Sequence, residues 1–265
     1  MTGSMPSWKR ASRSLLERAG LWKPISEARG HYRRVRTRRE AMDLYRQFIA
    51  PGDLCFDLGA NVGDVSEAML ALGARVVALE PQSESVQALQ MRFAGNASFR
   101  VIPKAVAAKT GTAKLLVCES SDCSSLSAEF VEAVSRSGRL NLDLCRWNEE
   151  RDIETTTLDN LVQEFGVPAF VKIDVEGLED EVLRGCSRRL PCLSFEFTPE
   201  RLAPALACIE MLNNLGPVEF NYTIEGRKQL QRPSWASGDE LATKLAVTKF
   251  RVELVPPGDV YARFM

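Results

Sequence analysis

The run Asp57-Leu58-Gly59-Ala60-Asn61-Val62-Gly63 is entered from the apolar stretch Leu54-Cys55-Phe56 and left into a helical pattern. It reads as a buried strand turning sharply into a helix, with Gly59 and Gly63 removing side chains where the backbone must turn or be approached closely. Apolar strand-like runs then recur at 54–58, 75–79, 98–102, 170–175 and 193–197. Helical stretches are predicted between and after them, at 64–72, 84–94, 157–165, 178–185 and 200–214. Such alternation, with right-handed crossovers, implies an α/β fold: a Rossmann-like, doubly wound, mostly parallel sheet with helices on both faces.

Glu80 follows Asp57 by 23 positions, at the end of the second predicted strand, where a carboxylate suits a ribose diol. A dinucleotide fingerprint places glycine at the position of Asp57, which keeps the helix N-terminus clear for pyrophosphate. A carboxylate there repels phosphate and attracts a cation. S-adenosylmethionine fits this pattern, since it carries a ribose, an ammonium and a sulfonium but no phosphate. Asp57, Gly59, Asn61, Gly63 and Glu80 are therefore the expected cofactor-binding residues. The plainer alternative is a strand–turn–helix whose glycines are purely structural.

The 265 residues are 45% hydrophobic and 26% charged, a composition that excludes fibrous and disordered classes. The net charge of -1 hides an asymmetry: residues 1–50 hold 12 Lys and Arg against 4 Asp and Glu, or +8, and the remainder holds 22 against 31, or -9. We expect a basic helical extension over 1–49 and a catalytic domain over 50–265. Within the extension, an amphipathic helix is expected over 10–22 and another over 37–49, with the basic segment 31–36 between them facing solvent or an anionic ligand. Seven cysteines without a C-x-x-C pair, together with a single histidine, His31, argue against zinc and for reduced thiols and a cytoplasmic address. His31 reads as a solvated residue. No apolar stretch is long enough for a membrane span, while the basic N-terminus leaves membrane-surface contact open.

A second constellation, Val171-Lys172-Ile173-Asp174-Val175-Glu176-Gly177, spaces Lys172, Asp174 and Glu176 by two, which puts them on one side of a strand. Charge is costly inside a buried parallel strand, so the later residues belong at its carboxyl end, where open α/β sheets bind ligands. Glu196 ends the next apolar run. The structural alternative is a Lys172–Asp174 ion pair with a helix-capping carboxylate. With Phe56–Gly63, Thr157-Leu158-Asp159, this constellation and Glu196 in this order, the chain resembles the FkbM-type methyltransferases, a family of S-adenosylmethionine-dependent enzymes with a Rossmann-like fold. Ser124-Ser125-Leu126 also looks like a short family motif. The resemblance covers roughly residues 50–200. The polar stretch 118–151 lacks clear periodicity and is expected as an insertion forming part of a substrate-facing lid.

The resemblance implies methyl transfer, and a hydroxyl acceptor on a sugar or other small-molecule natural product is expected. Asp174, Glu176 and Glu196 are the candidate general bases, with Lys172 orienting a carboxylate or stabilising developing negative charge. The same oxygens are suited to a hard divalent metal such as magnesium, and the spacing leaves base and metal ligand both open. Two other functions stay in view. One is a nucleic-acid-directed methyltransferase tracking phosphates with the +8 segment, disfavoured by the acidic domain. The other is a non-catalytic cofactor-binding protein of the same fold, disfavoured by the intact acidic cluster.

Overall fold

The computed structural model describes residues 38–119, 123–137, 146–224, 227–248 and 257–265. The expected helix over 10–22, the basic segment 31–36 and His31 lie outside them. The chain divides into two compact units, residues 1–40 and 41–265. The second unit holds the sheets and the helices that connect their strands.

Seven strands form the main sheet in the order β3-β2-β1-β7-β8-β10-β9. These are β1 (Leu54–Leu58), β2 (Arg75–Leu79), β3 (Phe99–Ile102), β7 (Phe170–Ile173), β8 (Cys192–Phe197), β9 (Val218–Tyr222) and β10 (Gly258–Phe264). All neighbouring pairs are parallel except those made by β10, which runs antiparallel to β8 and β9. The order reverses at β1, which continues to β2 on one side and meets β7 on the other. That junction is where an open α/β sheet leaves a crevice beyond its strand ends.

The connecting helices are α1 (Asp64–Ala71), α2 (Ser83–Arg92), α3 (Ala128–Ser137), α4 (Leu158–Phe165), α5 (Glu179–Arg184), α6 (Ala203–Leu215) and α7 (Gly238–Thr248). Side chains alternate between sheet faces, and the two faces differ. One buries Phe56, Leu58, Val171, Ile173, Phe195 and Phe197 against α4, α5, α6 and α7 in an apolar cluster. The other places Cys55, Val76, Phe170, Cys192 and Tyr261 against α1 and residues 41–49, where Tyr45 and Phe48 pack on Phe170. That second face is also polar toward its strand ends. Asp57 pairs in register with Lys172, Lys172 with Ser194, and Ser194 with Tyr261.

The stretch expected to be an aperiodic insertion is ordered in its described parts. β5 (Gly111–Cys118) and β6 (Trp147–Thr156) form an antiparallel pair, and β4 (Ala105–Val106) joins β6 to make a three-stranded sheet. β6 escapes a hydrophobic reading because Glu149, Glu150, Asp152 and Glu154 along Trp147–Thr156 are exposed and charged, as befits a ribbon with one wet face. α3 is anchored by buried Phe130 and Val134. No helix among the described residues is long and apolar enough to cross a membrane.

Candidate active site

Beyond the carboxyl ends of β1, β2 and β7 lies a cleft lined by Gly59, Asn61 and Glu80 on one side and Asp174 and Glu176 on the other. Val106 and Leu115 of the small sheet, with Ser124 and Leu126, complete its wall.

The β1 side is built by backbone geometry. Gly59 has φ 82° and donates its N–H to the Leu79 carbonyl at 2.9 Å. A Cβ there would sit 1.8 Å from the carbonyl oxygen of Asp174, so only glycine lets the two loops approach. Asn61 is also left-handed, at φ 44°, and its N–H donates to Glu80 Oε2 at 2.9 Å. Glu80 Oε1 accepts the Gln82 N–H at 2.8 Å, so this buried carboxylate ties β2 to both loops. Burial raises its pKa, and the hydrogen bonds from Gln82 and Asn61 oppose the rise.

Asp57 stands behind the loop and does not line the cleft. Its Oδ2 accepts a 2.6 Å hydrogen bond from Ser66 of α1, and burial pushes its carboxyl up to about 6 against the pull of Ser66 and Lys172. Gly63, at φ 89°, faces Leu89 and Phe93 of the α2 region rather than the cleft. The structure thus brings Gly59, Asn61 and Glu80 to the cleft, while Asp57 and Gly63 shape the loop from behind.

The β7 side carries the charge. β7 ends at Ile173, earlier than the predicted Val175, because the chain turns there: Glu176 and Gly177 adopt φ 56° and 97°. Buried Glu179, in the first turn of α5, accepts the N–H groups of Val175 and Gly177 at 3.3 and 3.1 Å and so fixes the turn. Its carboxyl is pushed up to about 7 by burial. Ser125 completes the support by donating its Oγ–H to the Glu176 carbonyl at 2.6 Å. Of the Ser124-Ser125-Leu126 motif, two residues line the cleft and the third braces its acidic turn. Thr157-Leu158-Asp159 serves elsewhere: Thr157 caps α4, and Asp159 accepts the Ser187 N–H.

One carboxylate oxygen from each of Asp174, Glu176 and Glu196 lies within 4.8 Å of the others. Glu196 Oε2 is enclosed and has no hydrogen-bond partner among the described residues. Burial, then repulsion from Glu176, Asp174 and Glu179, holds the Glu196 carboxyl well above the usual carboxylate range. Three full negative charges this close are unfavourable, and a retained proton or a bound cation relieves them. The oxygen set is of the kind that holds a hard divalent ion. Lys172 does not reach the cleft. Its Nζ lies beneath Asp174, 2.9 Å from Oδ2, and 2.9 Å from Oδ1 of Asp259 in β10.

Sequence reasoning did not find Glu179, Gln82 or Asp259. Gln82 follows Glu80 by two, and Glu179 stands in the acidic first turn of α5, so each had a local signal. Asp259 had none, because only β10's place beside β8 brings it to Lys172.

A model of the FkbM methyltransferase domain matches residues 57–212. The chain belongs to this family and is an S-adenosylmethionine-dependent methyltransferase. No curated protein matches the chain. Among solved structures it is similar to precorrin-6Y C5,15-methyltransferase from Geobacter metallireducens, with 12% identity, 86% of each chain covered and a TM-score of 0.43. It is similar also to precorrin 8W decarboxylase from Methanobacterium thermoautotrophicum, with 10% identity, 87% of this chain and 90% of that one covered, and a TM-score of 0.44. An rRNA methylase from Streptococcus thermophilus shows 11% identity, coverage of 84% and 93%, and a TM-score of 0.43.

Proposed function

We propose that this methyltransferase acts on a hydroxyl of a sugar or other small molecule, with Asp174 as general base. The observation that supports this most directly is one cleft in which Gly59, Asn61 and Glu80 face Asp174 and Glu176. The residues suit the methyl donor. Gly59 offers backbone unobstructed by a Cβ, Glu80 offers carboxylate oxygens at the end of β2, and the far wall is acidic. Among the described residues the one cationic lining residue, Lys104, is already paired with Glu154 at 2.8 Å. That charge pattern favours a sulfonium and disfavours a phosphate chain, and it speaks against a nucleic-acid acceptor at this cleft.

S-adenosylmethionine supplies an electrophilic methyl group. Asp174 would take the proton of the acceptor hydroxyl, leaving that oxygen's electron pair for the methyl group that bound S-adenosylmethionine would supply as it departs as the neutral thioether. Glu176 and Glu196 orient the acceptor. Much of the rate comes from holding donor and acceptor in line. An alternative within the same cleft is that Asp174, Glu176 and Glu196 hold a divalent metal that binds the acceptor oxygen.

The test is transfer of labelled methyl from S-adenosylmethionine to a panel of glycosides, polyketides and RNA, read by mass spectrometry. We expect a hydroxylated small molecule to gain the label. Label found in RNA alone overturns the acceptor assignment. Loss of activity in a chelator, restored by a divalent ion, would replace the base with the metal site.

A further inference from the structure

The ammonium of Lys172 is committed on every side. Its side chain is 2% exposed, its Nζ is 2.9 Å from Asp174 Oδ2 and from Asp259 Oδ1, and the Ile173 carbonyl accepts from it at 3.4 Å. An ammonium has three N–H donors, and these three acceptors account for them. Burial alone would lower the pKa of Lys172, but Asp174 and Asp259 together hold it well above its ordinary value. The lysine is therefore a fixed cation that cannot turn to a substrate. Of its two carboxylate partners, Asp174 is 35% exposed and lines the cleft, whereas Asp259 is 11% exposed and does not. Asp259 lies outside the stretch that matches the family domain. It stands in register with Glu196 on β10, so it shares the polar face of the sheet with the acidic cluster.

We propose that Asp259 is a positioning residue for Asp174 and acts through Lys172. By dividing the ammonium between two carboxylates, Asp259 limits the positive charge imposed on Asp174. The Lys172 contact then orients Asp174 through Oδ2 without neutralising it. Without the Asp259 charge, the whole field of Lys172 falls on Asp174, which becomes a poorer partner for the sulfonium. The group of three keeps a net negative charge only while Asp259 is ionised. Asp259 is held below its ordinary pKa despite burial, by Lys172 and Lys228.

This inference rests on the cleft being the methyl-donor site, and it can be tested without the acceptor. The probes are S-adenosylmethionine, which carries the sulfonium charge, and S-adenosylhomocysteine, which lacks it. Calorimetry on the full chain gives both affinities. Asp259→Asn keeps the shape and removes the charge. It should weaken S-adenosylmethionine by about fivefold, the size of a solvent-screened charge interaction, and leave S-adenosylhomocysteine unchanged. Asp174→Asn should show the same selective loss, because it too removes one negative charge from the group of three. Should Asp259→Asn not fold, the pair Lys172→Met with Asp259→Asn buries no unmatched charge between them and serves instead. It should restore the wild-type preference for the sulfonium. Equal weakening of both ligands by Asp259→Asn, or no restored preference in the pair, would overturn the positioning role. Failure of the wild type to bind either ligand would overturn the assignment of the cleft itself.

Discussion

The loops that follow β1 and β7 share one sheet edge yet treat carboxylates in opposite ways. At the end of β1, Asp57 is buried against Ser66, and just past β2, Glu80 accepts two backbone N–H groups, so each carboxylate is braced by the scaffold. After β7, Asp174 and Glu176 crowd within 4.8 Å of Glu196 in β8, and one Glu196 oxygen has no hydrogen-bond partner among the described residues. The first arrangement makes a rigid cradle with little net field. The second leaves negative charge concentrated where a cation or a proton is to be handled. Gly59 joins them, since its bare Cα lets the first loop rest on the Asp174 carbonyl.

Breaking that junction should have the largest effect. Gly59→Ala places a Cβ 1.8 Å from a backbone oxygen at φ 82°. We expect a loss of about 4 kcal/mol or more, or no folded protein, in urea unfolding. A variant within about 1 kcal/mol of the wild type would show that the loops are not locked together. Next comes the charged side. Asp174→Asn should lower turnover with a confirmed acceptor by about a hundredfold while the fold persists, the size expected of a general base. Near-normal turnover would make Asp174 structural and pass the role to Glu176 or Glu196.

The scaffold acids make a prediction in pH. Asp57 and Glu179 have folded-state pKa values of about 6 and about 7, raised by burial from ordinary values of 3.8 and 4.5. A group whose folded pKa is raised contributes stability that is complete below its unfolded pKa and is lost as pH rises through the folded one. These two groups should therefore lower stability as pH climbs from about 4 to about 7, by up to about 3 kcal/mol each. Glu179→Gln removes one of the two titrations. The urea midpoint of this variant should vary less with pH across that window, and an unchanged slope would count against the burial of that carboxyl. The smallest effect belongs to the cradle. Glu80→Ala should weaken S-adenosylmethionine by about tenfold, as for a lost charge-assisted hydrogen bond, and unchanged affinity by calorimetry would remove Glu80 from the ribose site.

The sequence made the central sheet legible because buried parallel strands are short, apolar and bounded by turns. β1 and β2 fall at the predicted residues, and α1, α2 and α4 lie within a residue or two. What escaped has physical causes. The β5–β6 ribbon is charged along its exposed face, and β9 and β10 have Asn221 and Asp259 interrupting their apolar pattern. The end of β7 was misplaced because Asp174-Val175-Glu176 keeps the alternation of a strand while Glu176 adopts φ 56°. For the site, spacing by two showed that Lys172 and Asp174 belong together. It could not show that Lys172 has a second carboxylate from a strand far along the chain.

The placement of β10 has a consequence in time. β10 lies between β8 and β9, although it comes after both in the chain, and among the described residues it is the only strand with which β9 pairs in the sheet. During synthesis β9 emerges with only the local bridge from Phe220 to Ala236 beside it, and it gains a strand partner when β10 slots in. Through the same interval Lys172 has one carboxylate where the finished molecule gives it two. The electrical completion of the site is thus a late event in assembly, and a nascent chain acquires its final charge balance only as the sheet closes around its antiparallel strand.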